Sequence, residues 1–594
     1  MLDFRNANTV WASVLVETLV RLGLTTAVIS PGSRSTPLTV AFASHPQIQA
    51  IPILDERSAS FFALGVAKAS RQPTVLVCTS GTAGANYFPA IIEAYESSIP
   101  LLILTADRPP ELRDCASGQT IDQQKLFGGY VRGYRELALP EATVPQLRYG
   151  RQAIAQLWQQ SQFPIPGPVH VNCPFRDPLA PITTFDPDQQ ELLAAQMTAA
   201  FFDHLGAAPV AIAPAPLAPH PLPPALASTE RGLIIAGPHS TTSPDAARTY
   251  CEAVATLSQQ LGWPVLADGL SPLRNYAQLN PHLITTYDVL LRQASHGAAL
   301  VPDQVLQLGA LPTSKILRQW LATVDPQRWI LDGSGRNRDP LHGKVQLWPV
   351  TLAAAMAQLK SRQSSATLDR SAYAQAWLQR EAIARQRLAE KLLTLAPLFE
   401  AKLSWLLPTL LPPTTPLMIA NSMPVRDVEW FWPPSDLGIR PYFSRGANGI
   451  DGTLSTAMGI AHHHGQAVLL TGDLALLHDS NGFLNAKMRP GHLTILLINN
   501  QGGGIFESLP MAQFDPPFEN FFATPQQVDF VALAAVHQID YEQVTSWEML
   551  SDRLHALPTT GIRLLELQCD RKLDAQIRAT LLQSVGDFTV SAAP

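Results

Sequence analysis

A chain of 594 residues is too long for one hydrophobic core and divides into roughly two to four domains. Its 46% hydrophobic and 15% charged content excludes a disordered chain. A formal net charge of -6 offers nucleic acid no basic excess, and no apolar run approaches the ~20 residues of a membrane span.

The N-terminal stretch MLDFRNANTVWASVLVETLVRLGL lacks a basic start and a small-residue cleavage site, so it does not read as a signal peptide. Val10, Val14, Leu15 and Leu19 recur at helical spacing and predict an amphipathic first helix. Strands are predicted at 26–30, 50–54, 74–78 and 101–104, with helices between them, one a small-residue helix at 58–69. Each strand opens into a polar loop. The first carries Pro31-Gly32-Ser33-Arg34-Ser35-Thr36-Pro37, the second Asp55-Glu56-Arg57. The third carries Thr79-Ser80-Gly81-Thr82-Ala83-Gly84-Ala85-Asn86, and the fourth Thr105-Ala106-Asp107-Arg108-Pro109-Pro110. Alternating strands and helices predict an α/β fold of parallel sheets flanked by helices, with ligands at the carboxyl ends of the strands.

Composition shifts between 178 and 230, where AAPVAIAPAPLAPHPLPP (207–224) reads as an extended, semi-rigid linker. A middle module follows, with strands at 232–236, 264–267, 305–308 and 329–331. After the last of these, Asp332-Gly333-Ser334-Gly335-Arg336-Asn337-Arg338 begins like a dinucleotide turn, but Arg338 takes the place of the final glycine. Residues 359–402 look helical and polar, a connector to a last module starting near 415. The division is therefore 1–185, a linker at 186–230, a central α/β module at 231–358, a helical connector at 359–414, and 415–594.

The last module holds the most informative stretch, AVLLTGDLALLHDSNGFLNAKMRPGHLTILLINNQGGGIF (467–506). Two apolar runs, 467–470 and 493–498, end in Thr471-Gly472-Asp473 and Asn499-Asn500-Gln501-Gly502, the strand–helix–strand pattern of a parallel sheet. A carboxylate, an amide oxygen and a backbone carbonyl near Gly502 are the hard ligands that Mg²⁺ prefers. The same residues also make ordinary turns, and both readings stand at this point. The last module mirrors the first: strand, T-G-D-L, helix, strand, I-N-N-Q against strand, T-S-G-T, helix, strand, T-A-D-R. His462-His463-His464 is no metal cluster, because consecutive helical residues point different ways. Five scattered cysteines (Cys78, Cys115, Cys173, Cys251, Cys569) with no C-x-x-C pair fit reduced thiols in a cytoplasmic protein. Arg34, Arg108, Arg426 and Arg445 each sit at a predicted strand end or glycine-rich turn, and converging guanidinium groups would suit a substrate with several carboxylates.

Gly472-Asp473, followed by Asn499-Asn500, resembles the signature of thiamine-diphosphate-dependent enzymes, with Leu474 replacing the usual third glycine. Three further motifs make the resemblance specific: Ser30-Pro31-Gly32-Ser33-Arg34-Ser35-Thr36-Pro37-Leu38, Leu104-Thr105-Ala106-Asp107-Arg108-Pro109-Pro110-Glu111-Leu112, and Ser444-Arg445-Gly446-Ala447-Asn448-Gly449-Ile450-Asp451-Gly452. They resemble the 2-succinyl-5-enolpyruvyl-6-hydroxy-3-cyclohexene-1-carboxylate (SEPHCHC) synthase branch, which also lacks that third glycine.

The resemblance implies a three-domain fold with a pyrimidine-binding first module and a diphosphate-binding last module. It implies decarboxylation of 2-oxoglutarate and 1,4-addition to isochorismate, in menaquinone or phylloquinone biosynthesis, by a homodimer or dimer of dimers. Another thiamine-diphosphate-dependent 2-oxoacid decarboxylase or carboligase is the alternative. Glu56 would promote the reactive tautomer of the cofactor, and Asp473, Asn500 and the Gly502 carbonyl would hold Mg²⁺ or Mn²⁺. Ser80, Gly81, Thr82, Asn86, Ser422, Met423, Gly472 and Leu474 would line the cofactor, and Ile450 would bend it. Ser33, Arg34, Arg108, Gln119, Lys315, Ser422, Arg426 and Arg445 would hold substrate, with Arg34, Gln119, Arg426 and Arg445 joining Glu56 in catalysis. Two positions depart from the branch's pattern: Gly118, where Asn is frequent, and Ile316, where a basic residue can follow Lys315.

Overall fold

The structure, a computed structural model, describes residues 2–205, 221, 223–360, 371–395, 397–486 and 491–590. The Pro/Ala-rich stretch at 207–224 lies outside the described residues apart from 221, 223 and 224, as do 361–370 and 396 of the polar helical segment. Two compact units divide the chain. One is Met1–Ala215 with Ser444–Gly465 and His478–Pro490; the other is Pro216–Phe443 with Gln466–Leu477 and Gly491–Pro594.

The first unit is built on six parallel strands: β1 (Thr26–Ile29), β2 (Gln49–Pro52), β3 (Thr74–Cys78), β4 (Leu101–Asp107), β5 (Gly133–Glu136) and β6 (Pro168–Pro174). Their spatial order is β2-β1-β3-β4-β6-β5. Strands β1, β3, β4 and β6 are wholly buried, which is why they read as unbroken apolar runs. The first helix, Ala7–Arg21, corrects the expectation of an amphipathic helix. Val10, Val14, Leu15 and Leu19 are buried as expected, but so are Asn8, Thr9, Ser13 and Thr18. The helix is covered on its polar side because it packs against both Thr36–Ala43 and Val144–Gln160. Its hydroxyls tolerate this by bonding to their own helix: Ser13 Oγ donates to the Val10 carbonyl at 3.0 Å, Thr18 Oγ1 to that of Val14 at 2.7 Å.

Helix Glu56–Ser70 crosses helix Thr453–His464 at a pair of glycines. A Cβ on Gly65 would lie 2.1 Å from the Thr456 carbonyl oxygen, and one on Gly459 would lie 2.1 Å from that of Phe62. The two backbones therefore touch, and only glycine permits it.

The second unit carries two parallel sheets. One contains β7 (Gly232–Ala236), β8 (Val265–Ala267), β9 (Leu283–Ile284), β10 (Gln304–Leu308), β11 (Gln327–Leu331) and β12 (Val345–Trp348), ordered β12-β11-β10-β7-β8-β9. After β11 the chain runs to β12 through an irregular loop, 332–344, pinned by Arg338 on Asp332 at 2.8 Å and Arg328 on Asp339 at 2.5 Å. This turn leads into a loop and a strand and not into a helix, so the helix N-terminus that follows the glycine turn of a dinucleotide fingerprint is not part of this segment. The other sheet contains β13 (Pro416–Ile419), β14 (Arg440–Phe443), β15 (Gln466–Gly472), β16 (His492–Asn499), β17 (Asp540–Gln543) and β18 (Gly561–Gln568), ordered β14-β13-β15-β16-β18-β17. This is strand for strand the order of the first sheet. The internal repeat is thus a repeat of topology, in which the loops after β3 and β4 correspond to those after β15 and β16. The segment expected to be helical forms the helices Ala372–Thr394 and Glu400–Leu410, which bury Trp377, Leu388, Leu392, Leu403 and Leu407 in the core of this unit.

Candidate active site

In both repeats the strand order reverses direction beside the first strand of the sheet, and ligands of open α/β sheets bind at such a point beyond the carboxyl ends. In the first unit, β1 delivers Ser33 and Arg34, β3 delivers Ser80 and Gly81, and β4 delivers Arg108. Arg34 is largely buried; its Nη1 donates to the Phe175 carbonyl at 3.0 Å and stands 3.9 Å from Asp177. Burial, and then the charge of Arg108, hold Arg34 below the ordinary arginine value. Arg108 donates to Ser80 Oγ, while Gln119, in a left-handed conformation (φ 56°), donates from Nε2 to the Ser80 carbonyl at 2.9 Å. Ser80 therefore gathers Arg108 and Gln119. Thr82 and Asn86 are exposed, and Asn86 Nδ2 donates to the Thr82 carbonyl at 3.1 Å.

Glu56 is half-buried at the first position of its helix, where Asp55 caps by accepting from the Ser58 N–H at 3.0 Å. Among the described residues no hydrogen bond or ion pair engages the Glu56 carboxylate. Arg445 and Ile450 belong to the same unit as Glu56. Their turn is anchored by Glu93, whose carboxylate accepts from the Gly446 N–H at 3.2 Å and the Ala447 N–H at 2.7 Å and pairs with buried Lys68 at 3.1 Å. The Ile450 carbonyl accepts from Thr453 Oγ1 at 2.8 Å, fixing the turn to the start of the following helix.

In the second unit the neighbouring ends of β13, β15 and β16 bring together Ser422 with Arg426, Asp473 and Asn500. Ser422 has φ 73°, a region costly for a residue with a Cβ, and it begins the helix Met423–Phe431. Arg426 Nη1 donates to the Ser422 carbonyl at 2.6 Å, so the strained turn and the guanidinium hold each other. Asp473 is 3% exposed. Its Oδ1 accepts from the Leu474 N–H and its Oδ2 from the Gly502 N–H, both at 2.8 Å. Burial pushes this carboxyl up to about 6. Gly502 has φ 133°, and a Cβ there would meet the Ala523 carbonyl at 2.4 Å, so the loop can close on Asp473 only with glycine.

Asn500 is buried, its Nδ2 donates to Glu400 Oε2 at 2.8 Å, and its Oδ1 is buried with no hydrogen-bond partner. An orphaned amide oxygen beside a buried carboxylate is what a hard divalent cation would satisfy, so these residues fit Mg²⁺ or Mn²⁺. Among the described residues no group of three or more His, Cys, Asp or Glu side chains could hold a metal. The expected set differs in kind, with one carboxylate, one amide and one carbonyl. Lys315 stands apart from Asp473 and Asn500, exposed at the start of a helix beyond β10 of the other sheet.

Sequence reading missed Glu400, Arg578, Glu93 and Gln123. Gln123 accepts from the Gly81 N–H at 2.8 Å and donates to the Ala106 carbonyl at 3.1 Å, tying the loop after β3 to the end of β4. None of the four lies in a motif; each acts on a residue distant in the chain.

Three family models match the chain: "Thiamine pyrophosphate enzyme, N-terminal TPP binding domain" over residues 10–126, "Middle domain of thiamine pyrophosphate" over 225–419, and "Thiamine pyrophosphate enzyme, C-terminal TPP binding domain" over 439–566. Curated relatives are similar from end to end. A 2-succinyl-5-enolpyruvyl-6-hydroxy-3-cyclohexene-1-carboxylate synthase of Trichormus variabilis is 54% identical over 586 residues, covering 97% of this chain and 97% of its own. Those of Gloeothece citriformis and Trichodesmium erythraeum are 54% and 52% identical, covering 97% and 99% of this chain and 98% and 100% of theirs.

Proposed function

Because the chain belongs to the thiamine-diphosphate-dependent enzymes, in the SEPHCHC synthase family, we propose that it is the transferase that decarboxylates 2-oxoglutarate and adds the succinyl unit to isochorismate. The carrying observation is the buried, unpartnered Asn500 Oδ1 on the strand end next to Asp473. When bound, thiamine diphosphate supplies the electron sink that lets CO₂ leave a 2-oxo acid and leaves a carbon nucleophile behind.

The residues of the chain divide the remaining work. Asp473, Asn500 Oδ1 and the Gly502 carbonyl would hold Mg²⁺ or Mn²⁺, a hard cation that would offset the negative charge of the cofactor's diphosphate. Gly472, Leu474, Ser422 and Met423 would line the diphosphate, and Ser80, Gly81, Thr82, Asn86 and Ile450 would serve the cofactor's ring. Glu56, half-buried and free of ion pairs among the described residues, would hydrogen-bond to the pyrimidine ring and so promote its reactive tautomer. Arg34 and Arg108, with Ser33, Gln119, Ser422, Arg426, Arg445 and Lys315, receive substrate carboxylates. The like-charge effect of Arg108 on Arg34 supports this, because a bound carboxylate would relieve it.

The same reading divides the chain at 1–185, 231–358 and 415–594, joined by a linker at 186–230 and a connector at 359–414. It makes the enzyme a cytoplasmic homodimer or dimer of dimers serving menaquinone or phylloquinone biosynthesis. The test supplies thiamine diphosphate, Mg²⁺ and 2-oxoglutarate with and without isochorismate. CO₂ and a coupled product that require both substrates are expected; carboligation from pyruvate instead would assign another decarboxylase or carboligase.

A further inference from the structure

An asparagine amide offers a cation site only one useful end. At Asn500 the NH₂ end is taken by Glu400 Oε2 at 2.8 Å, leaving Oδ1 unpartnered. Glu400 stands 100 residues earlier in the chain, opens the helix Glu400–Leu410 and is 1% exposed. Its other oxygen, Oε1, accepts from Arg578 Nη2. Arg578 is itself gripped by both oxygens of Asp427, at 2.8 and 2.9 Å, and the Glu400 N–H donates to Asp574 at 3.1 Å. A Cβ on Gly504 would lie 2.8 Å from Asn500 Nδ2, so the Gly504 backbone approaches the NH₂ end of the amide closely.

We propose that Glu400 is a positioning residue that sets the Asn500 amide with its oxygen toward the metal ion; this rests on the reading that Asp473, Asn500 and Gly502 hold that ion. A carboxylate can only accept, so the NH₂ end of Asn500 must face it and Oδ1 must face away. Arg578 holds the other carboxylate oxygen and so aims the group. Glutamine at the same place has one acceptor and one donor for two donors, Arg578 and Asn500. The charged guanidinium takes the carbonyl, the glutamine NH₂ turns to Asn500, and the Asn500 amide flips to present NH₂ to the ion.

The test measures Mn²⁺ affinity of the full chain in the presence of thiamine diphosphate, from the electron paramagnetic resonance signal of free Mn²⁺. Glu400→Gln is expected to weaken binding about 10–100-fold. Adding Asn500→Asp to it should restore affinity to within about threefold of the parent, because an aspartate offers oxygen at both ends and the cluster regains its charge. Parental affinity in Glu400→Gln overturns the proposal, and so does a double variant as weak as the single one. If circular dichroism shows that Glu400→Gln does not fold, the double variant decides alone: recovery supports the proposal, and a tenfold or greater loss overturns it. An Asp473→Ala control separates the two layers. Mn²⁺ binding that survives it removes the metal site itself, whereas binding lost there but intact in Glu400→Gln removes only the role of Glu400.

Discussion

Replacing Gly65 by alanine pits helix propensity against packing, and the structure says which prevails. In an isolated helix the change would stabilise by about 1 kcal/mol. Here the new methyl would land 2.1 Å from the Thr456 carbonyl oxygen and 3.0 Å from the Gly459 Cα, both main-chain atoms that cannot rotate aside. The helices Glu56–Ser70 and Thr453–His464 must separate by about 1 Å or more to reach ordinary contact. Overpacking of this kind costs roughly 1–3 kcal/mol, and a backbone collision belongs at the upper end. The expected net loss is about 2 kcal/mol, close to thirtyfold in the unfolding equilibrium. Urea unfolding followed by tryptophan fluorescence measures it. Gly118→Ala serves as the control, since nothing lies within 4 Å of a Cβ there. The helix that is pushed away begins at the turn carrying Ile450 and Arg445, so turnover should fall with stability. A Gly65→Ala protein as stable as its parent would refute the backbone contact.

Glu56→Gln should leave metal-dependent binding of thiamine diphosphate largely intact, read by fluorescence quenching, while turnover drops about 10²–10⁴-fold; near-normal turnover would remove Glu56 from the mechanism. Arg426→Ala should raise KM for one substrate roughly tenfold or more, as loss of a charged hydrogen bond does, and unchanged kinetics with both substrates would cancel its assignment. His170 is wholly buried, and burial lowers its pKa to about 3 from the usual 6.5. The unfolded chain therefore takes up a proton near pH 6.5 that the folded one refuses, so stability is complete above that pH and falls as pH drops below it. Between pH 6.5 and 5 the loss is about 1.6 kcal/mol. His170→Asn should flatten the pH dependence of the urea midpoint over that range, and equal slopes would contradict it.

How far a feature could be read in advance depended on how local its cause was. The buried strands β3 and β7 were expected at 74–78 and 232–236 and lie there, because a strand covered on both faces is a continuous apolar run. The loops after β15 and β16 announced themselves because small and polar residues interrupt those runs. The first helix misled because periodicity records where apolar residues fall; it does not record whether Ser13 and Thr18 face water or another helix. The helical character of 359–402 was legible, but its buried side was not, since Glu400 looks like a surface residue in any window of sequence and is buried only by its partners.

The amino-acid order alone was enough for the parallel α/β class, the repeat, and the placing of Asp473 and Asn500 at the ends of β15 and β16. Each of these follows from residue type and neighbours within a few positions. Tertiary packing decided what those groups can do. It turned the Asn500 amide by way of Glu400 and Arg578, tied the Arg445 turn to Glu93, and laid Gly65 on the backbone at Thr456. Such contacts join segments that no local pattern relates, because they depend on which surfaces are brought together when water is excluded between them.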